Sequence, residues 1–406
     1  MGSSAIQSHR IRLLTGGQAY FDALVQAIDA SYREVLLETY ILHVEGAVVA
    51  VVDALLRAAR RGVVVRLVVD GAGTPTLPDH WVQAMALAGV QWHRFLPLQG
   101  LQVMVPRRWR RLHRKLCVID GRLLFCGGIN LLDDHIDLNH GPQEVARLDF
   151  AVCVSGEMVG QAQRLMAGFW ARLLAQHQFE ERQYRAAGAS LVSSSAKQWP
   201  THIDVSDWSD GTAVEVAKAG LILRDNVRNR LRIERAYRRA ITQARSEILI
   251  ANAYFLPGRA LRQALVQAAR RGVRVRLVLQ GRYEYFLQYH ATRAVYGKLL
   301  LAGIEIWEYQ AGFLHAKVAV VDGHWSTVGS SNLDPLSLLL AREANVVVDD
   351  AQFAATLRSQ LLARVHGHTR QLDPAVFARR PLKQRFFDAL AYAVARLSVF
   401  LLGKRY

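Results

Sequence analysis

One pattern of 19 residues occurs twice in this chain without a gap. Leu112–Asn130 reads LHRKLCVIDGRLLFCGGIN, and Leu314–Asn332, 202 positions further on (112 to 314), reads LHAKVAVVDGHWSTVGSSN. Two gapless copies mark an internal duplication, so the chain is expected to fold as two like units. The preceding sequence repeats as well. REVLLETYIL followed by VVDALLRAARRGVVVRLVVDG, ending at Gly71, matches SEILIANAYFLPGRALRQALVQAARRGVRVRLVLQG, ending at Gly281. In each, an apolar run (Val35–Leu37, Ile248–Ile250) leads into apolar residues at helical spacing. That stretch ends at Arg-Gly, Arg61-Gly62 or Arg271-Gly272, where glycine is the expected C-cap. A second apolar run follows at once, Val63–Val69 or Val273–Leu279. Strand, helix and strand joined this tightly predict a βαβ unit with parallel strands.

The fold class expected is therefore α/β, with two similar domains, each a mixed sheet flanked by helices, facing each other across a shared site. At 406 residues the chain exceeds one ordinary domain. The first domain is read as 1–185, closed by the amphipathic stretch GQAQRLMAGFWARLLAQ. A linker rich in Ser, Gly and Asp occupies 186–220 and includes SLVSSSAKQWP and VSDWSDG. The second domain is 221–370, and 371–406 forms a basic and apolar tail.

Strand geometry gives the repeated motif chemical content. His113 and Lys115 are two residues apart and so share one strand face. Asp120-Gly121 is a strong two-residue hairpin signal. The returning strand, Leu123–Cys126, brings Asn130 back beside His113 and Lys115. The second copy keeps the same counts with His315, Lys317, Asp322-Gly323 and Asn332. Gly127-Gly128 and Gly329-Ser330-Ser331 remove bulk, so backbone N–H groups could approach a ligand oxygen. An imidazole, an ammonium and a carboxamide in each half suit an anion, and two such sets suit a phosphodiester.

Composition supports an anionic partner. The net charge is +17, and nucleic acid or an anionic membrane surface would screen it. Cys117, Cys126 and Cys153 lie in strand-like runs with no C-x-x-C spacing; buried free thiols fit, as in a reducing, cytoplasmic setting. Neither a P-loop nor a G-x-G-x-x-G after a strand is present, so no nucleotide cofactor is expected. Asp133–His135 and the following Ile136-Asp137 could suggest a metal cluster, but a solvated loop is the preferred reading, and no metal is expected.

H-x-K-x-x-x-x-D, a small-residue turn and Asn, present twice, resembles the phospholipase D superfamily. HRKLCVIDGRLLFCGGIN, ANAYFLPG, AARRGV, LHAKVAVVDGHWSTVGSSNLDPLSL and EANVVV resemble bacterial cardiolipin synthases, of the shorter B type. The resemblance runs from about Ile11 to about Asp350 and lacks the N-terminal pair of membrane helices of the longer type. It implies a catalytic set of His113, Lys115, Asp120, His315, Lys317 and Asp322. It further implies that two phosphatidylglycerol molecules give cardiolipin and glycerol, on the cytoplasmic side of a bacterial membrane to which the protein binds peripherally. His113 would be the nucleophile, forming a phosphohistidine, and His315 the general acid and base. Lys115, Asn130, Lys317 and Asn332 would bind the phosphate. A lipase transferring to water, a nuclease of the same superfamily and a non-catalytic membrane-binding module are the competing readings.

A catalytic imidazole needs a partner that fixes its tautomer. The turn aspartates Asp120 and Asp322 lie about 20 Å along an extended strand from their histidines and suit this poorly. Asp149, which opens DFAVCV after the first motif, and Glu343, which opens EANVVV after the second, are expected to orient the histidines, each in its own half. Ordinary strand-edge charges are the alternative. Two stretches could meet a membrane. PRRWRRLHRK, Pro106–Lys115, follows Trp92, Phe95, Leu98, Leu101, Val103 and Met104, which suggests headgroup binding or else an exposed basic loop. The C-terminal stretch reads as an interfacial helix or as a core helix of the second domain.

Overall fold

A computed structural model describes residues 7–97, 109–180, 212–225, 229–334 and 341–401. The chain divides into two compact units. One comprises Met1–Asp133 with Ala151–Leu221, the other Asp134–Phe150 with Ile222–Tyr406.

The elements follow in chain order. First come β1 (Gln7–Thr15), α1 (Gly17–Asp29), β2 (Glu34–Thr39), α2 (Val48–Arg60), β3 (Val64–Asp70), α3 (Asp79–Ala88) and β4 (Gln91–Phe95). Next are β5 (Arg111–Leu112), β6 (Lys115–Ile119), β7 (Leu123–Gly127), β8 (Ile136–Asp137), β9 (Gly141–Pro142), β10 (Phe150–Ser155), α4 (Glu157–Glu180) and β11 (Ala213–Arg224). The second half begins with α5 (Arg232–Gln243), β12 (Glu247–Asn252), α6 (Arg259–Arg270), β13 (Arg274–Gln280), α7 (Phe286–Leu300) and β14 (Glu305–Tyr309). It ends with β15 (Lys317–Val321), β16 (Trp325–Gly329), β17 (Ala341–Asp349), α8 (Ala351–Val365), β18 (Thr369–Gln371), α9 (Pro374–Ala378) and α10 (Leu382–Leu401).

The first unit orders its strands β4-β3-β2-β6-β7-β10-β1. The pairs β2–β3 and β3–β4 are parallel, as the βαβ reading requires, while β6 and β7 run antiparallel. The second unit repeats the plan as β14-β13-β12-β15-β16-β17, with β18 added antiparallel outside β14. Alternation along the strands covers both faces. In the first unit Val35, Leu37, Val65, Leu67, Cys117 and Ile119 pack beneath α1–α3. Val68 and Leu112 face the other way, onto Phe169 and Trp170 of α4. All three cysteines are free and buried.

Three boundaries differ from the sequence reading. Residues 134–150, placed in the first domain by chain order, belong to the second unit. The anchors are specific: Leu148 forms an isolated parallel bridge to Leu314, and Asn139 Nδ2 donates to the Tyr285 hydroxyl at 2.8 Å. The expected linker ends earlier, because β11 takes up 213–220 and pairs antiparallel with β1; the rest of the linker up to 211 lies outside the described residues. The tail is not separate either, since α10 packs on α7 and adds Ala391 and Ala395 to the second unit's core.

The two units solve one core position differently. In the first, the buried Arg114 Nε donates to Glu38 Oε2 at 2.7 Å, with its guanidinium 5.3 Å from the Phe169 ring centre. In the second, the equivalent positions are the buried alanines Ala316 and Ala251. A buried charge is costly when its partner is removed, whereas the pair as a whole is nearly replaceable by apolar groups. Glu38→Ala alone should therefore cost about 3–5 kcal/mol. Adding Arg114→Ala should recover part of that loss, measured by urea unfolding; a double variant less stable than the single one would contradict this.

Candidate active site

The hairpins form as the Asp-Gly signal predicts. Asp120 and Gly121 have φ of 53° and 67°, and Asp322 and Gly323 have φ of 50° and 70°. Both central residues thus occupy the left-handed region of a type I′ turn. The turn carboxylates are occupied by backbone. Asp120 accepts from the amides of Tyr32, Arg33 and Glu34, at 2.9–3.2 Å. Asp322 accepts from those of Arg245, Ser246 and Glu247, at 2.8–3.0 Å. Burial alone would raise the Asp322 carboxyl, but these donors outweigh it and hold it below the ordinary carboxylate range. The motif aspartates therefore pin the start of β2 and β12.

The second unit builds its half of the motif around His315. This residue lies two positions before β15, and its amide donates to the Leu148 carbonyl at 2.9 Å. Leu148 N in turn donates to the Phe313 carbonyl at 2.9 Å. That pairing delivers Asp149, whose Oδ2 stands 2.6 Å from His315 Nδ1. The other carboxylate oxygen accepts from the Phe150 amide at 2.8 Å. Asp149 thus pairs with a histidine, but with His315 rather than the expected His113. The cause is the placement of 134–150 in the second unit. The imidazole is thus held through Nδ1.

Lys317 is fully buried, and its ammonium donates to the His315 carbonyl, with Nζ 3.9 Å from Asp149 Oδ2. Burial lowers it to about 8, against the opposing pull of Asp149, Glu343 and Glu284. Asn332 is buried at the end of the hairpin, and the amide of the next residue, Leu333, donates to Asn252 Oδ1 at 3.2 Å. Glu343 is buried on β17 and accepts from the Ser330 hydroxyl. The open backbone expected at Gly329-Ser330-Ser331 is taken up internally. Ser330 N donates to the Ala344 carbonyl and Ser331 N to Asn345 Oδ1, at 3.0 and 3.3 Å. A Cβ on Gly329 would fall 2.3 Å from Asn345 Cγ, so this glycine serves packing against β17.

The first unit presents His113 beside Tyr40, with ring centres 4.9 Å apart. The buried Lys115 donates to the His113 carbonyl at 2.8 Å, and its Nζ lies 5.4 Å from the Tyr40 ring centre. Asn130 Oδ1 accepts from the Ile41 amide at 3.2 Å, which turns its NH₂ group away from that strand. Asp70 fixes the approach to His113 by accepting from Leu112 N at 2.7 Å and Arg111 Nη1 at 3.1 Å.

Sequence reasoning missed Tyr40, Asp70 and Asn252, as well as Tyr254, which donates to the half-buried Glu284 at 2.8 Å. Only the position of Tyr40, directly after a βαβ strand, offered a signal. The Asp133–Asp137 stretch is solvated only in part, with His135 exposed. Asp133 accepts from Ala47 N at 2.8 Å, while the buried Asp137 pairs with His140 and Arg147. Part of the arginine-rich approach to the first motif is also committed. Arg111 and Arg114 are paired to Asp70 and Glu38, and Phe95 is core, whereas 98–108 lie outside the described residues.

Comparison with known proteins fits this arrangement. A family model described as "Cardiolipin synthase, PLD-like domain" matches 24–142 and again 237–364. Cardiolipin synthase B of Escherichia coli K12 is 35% identical over 397 residues, 98% of this chain and 90% of that protein. The chain belongs to this family. Cardiolipin synthase A of Cronobacter sakazakii is 28% identical, over 96% of this chain and 76% of that protein. Among solved structures, the phosphatidylserine synthase of Haemophilus influenzae Rd KW20 shares the fold. It aligns at a TM-score of 0.66 with 13% identity, covering 97% of this chain and 94% of that one.

Within this cardiolipin synthase family member, two outcomes follow from the His315 cluster. Asp149→Asn should lower kcat by about 100-fold or more, because the amide no longer fixes the imidazole tautomer; full turnover in a folded variant would remove Asp149 from the mechanism. The free enzyme should also lose kcat/KM above about pH 8 as Lys317 gives up its proton. Stability should move the opposite way. The unfolded chain keeps that proton to higher pH, so folding becomes more favourable as pH rises from about 8 toward 10.5. A kcat/KM flat to pH 10 would show that Lys317 carries no required charge.

Proposed function

We propose that the protein is a cardiolipin synthase-type phosphatidyltransferase, converting two phosphatidylglycerol molecules into cardiolipin and glycerol. The observation that carries this reading is the Asp149–His315 pair beside a buried Lys317, within a duplicated motif of this family. The neutral His113 imidazole attacks phosphorus and forms a P–N bond as the P–O bond to glycerol breaks. His315 gives its proton to the departing glycerol oxygen. A hydroxyl of the second phosphatidylglycerol then gives its proton to His315 and attacks the phosphohistidine, and His113 leaves. Each step exchanges one bond to phosphorus for another, so no nucleotide or redox partner is consumed.

Lys115, Asn130, Lys317 and Asn332 carry the negative charge on the non-bridging oxygens. Asp149 and Glu343 are the histidine-orienting carboxylates. The protein works peripherally on the cytoplasmic side of an anionic bacterial membrane, in keeping with its net charge of +17. Among the described residues, no helix is long and apolar enough to cross a membrane.

The test is to incubate the protein with labelled phosphatidylglycerol and identify the products. Cardiolipin and glycerol are expected, in the presence of chelator as in its absence. Phosphatidic acid as the main product would make the protein a lipase, and cleavage of added DNA without lipid turnover a nuclease. His113→Ala and His315→Ala should each lower turnover by about 1,000-fold or more. Label trapped on His315 instead of His113 would reverse the two roles.

A further inference from the structure

Helix α10 is apolar on two opposite faces. Toward the second unit it buries Ala391 and Ala395, together with Asp388, which is paired to His290 Nδ1 at 2.7 Å and Arg380 Nη1 at 2.9 Å. Facing outward it presents Leu382, Phe386, Leu390, Val394 and Leu397, which are 43–78% exposed. Their spacing of four, four, four and three residues aligns them in one stripe about 20 Å long. Ala389 and Ala393 are exposed beside them. A surface helix ordinarily turns charged and polar residues outward. Single exposed hydrophobic residues need no explanation, but an aligned row of five does.

The charges around the stripe are of one sign. Arg379, Lys383, Arg385 and Arg396 are exposed. Asp388 is the only acidic residue from Arg379 to the last residue of the sequence, and it is buried and already paired. Among the described residues, the helix is not long and apolar enough to cross a bilayer. An apolar stripe bordered by cations on a helix of this kind fits the plane of an anionic membrane surface. A symmetric contact with a second copy fits less well, because it would bring these like charges together.

We propose that the outward stripe of α10 docks the protein on an anionic bilayer, with Leu382, Phe386, Leu390, Val394 and Leu397 entering the acyl boundary and Lys383, Arg385 and Arg396 meeting the headgroups. The proposal specifies the membrane surface of the proposed function but does not depend on the transfer reaction. The full chain is sedimented with phosphatidylcholine vesicles, with and without phosphatidylglycerol. Combined Phe386→Ser, Leu390→Ser and Leu397→Ser should weaken binding to the phosphatidylglycerol vesicles by about tenfold or more. The circular dichroism spectrum and turnover of a short-chain, monomeric phosphatidylglycerol should stay unchanged. Combined Lys383→Glu and Arg385→Glu should weaken binding only where phosphatidylglycerol is present. Undiminished binding by the triple serine variant overturns the proposal. So does equal binding of the wild-type chain to both vesicle types, or a wild-type dimer that the triple variant dissociates. Vesicle binding that follows this pattern without lipid turnover supports the docking surface and removes the transferase reading instead.

Discussion

The turn carboxylates hold the register on which the rest of each unit depends. Asp120 and Asp322 each gather three consecutive backbone amides at the start of the neighbouring strand. A β-hairpin that slips by one residue turns every side chain to the other face. Here such a slip would move the asparagine of a motif away from its histidine and lysine. The aspartate of the repeated motif is thus a registration device. It acts at one end of the hairpin so that the other end can carry chemistry.

Much of this architecture could be read from the residues. The duplicated pattern, the Arg-Gly helix ends and the Asp-Gly turns are local signals, and the parallel βαβ units and both hairpins follow from them. What escaped were pairings between distant parts of the chain. Residues 134–150 follow the first motif in sequence, yet Leu148 pairs with Leu314, and Asp149 thereby meets His315. Symmetry between the halves suggested the opposite assignment. Strand β11 was hidden for another reason: the Ser-rich stretch before it set the reading of the residues that followed. The Glu38–Arg114 pair was invisible because each residue alone looks like a surface charge.

Electrostatics in the second unit explain how a lysine can be kept dry beside His315. Lys317 has lost nearly all hydration, and Asp149, Glu284 and Glu343 recover only part of the cost, with Arg147 opposing them. Glu284 is itself pushed upward by burial, relieved in part by the Tyr254 hydroxyl. Under the proposed function, an incoming phosphodiester would add negative charge beside Lys317 and favour its ammonium form. Substrate binding and proton retention at Lys317 would then be coupled.

The segment that supplies Asp149 also bears on how such a chain could have arisen. Its neighbours on either side in sequence, up to Asp133 and from Ala151, belong to the first unit, while the carboxylate serves the second. A shorter gene encoding only the later half would yield a histidine without its companion. Cutting the chain between the two units anywhere after Ala151 would therefore part His315 from the carboxylate that it bonds.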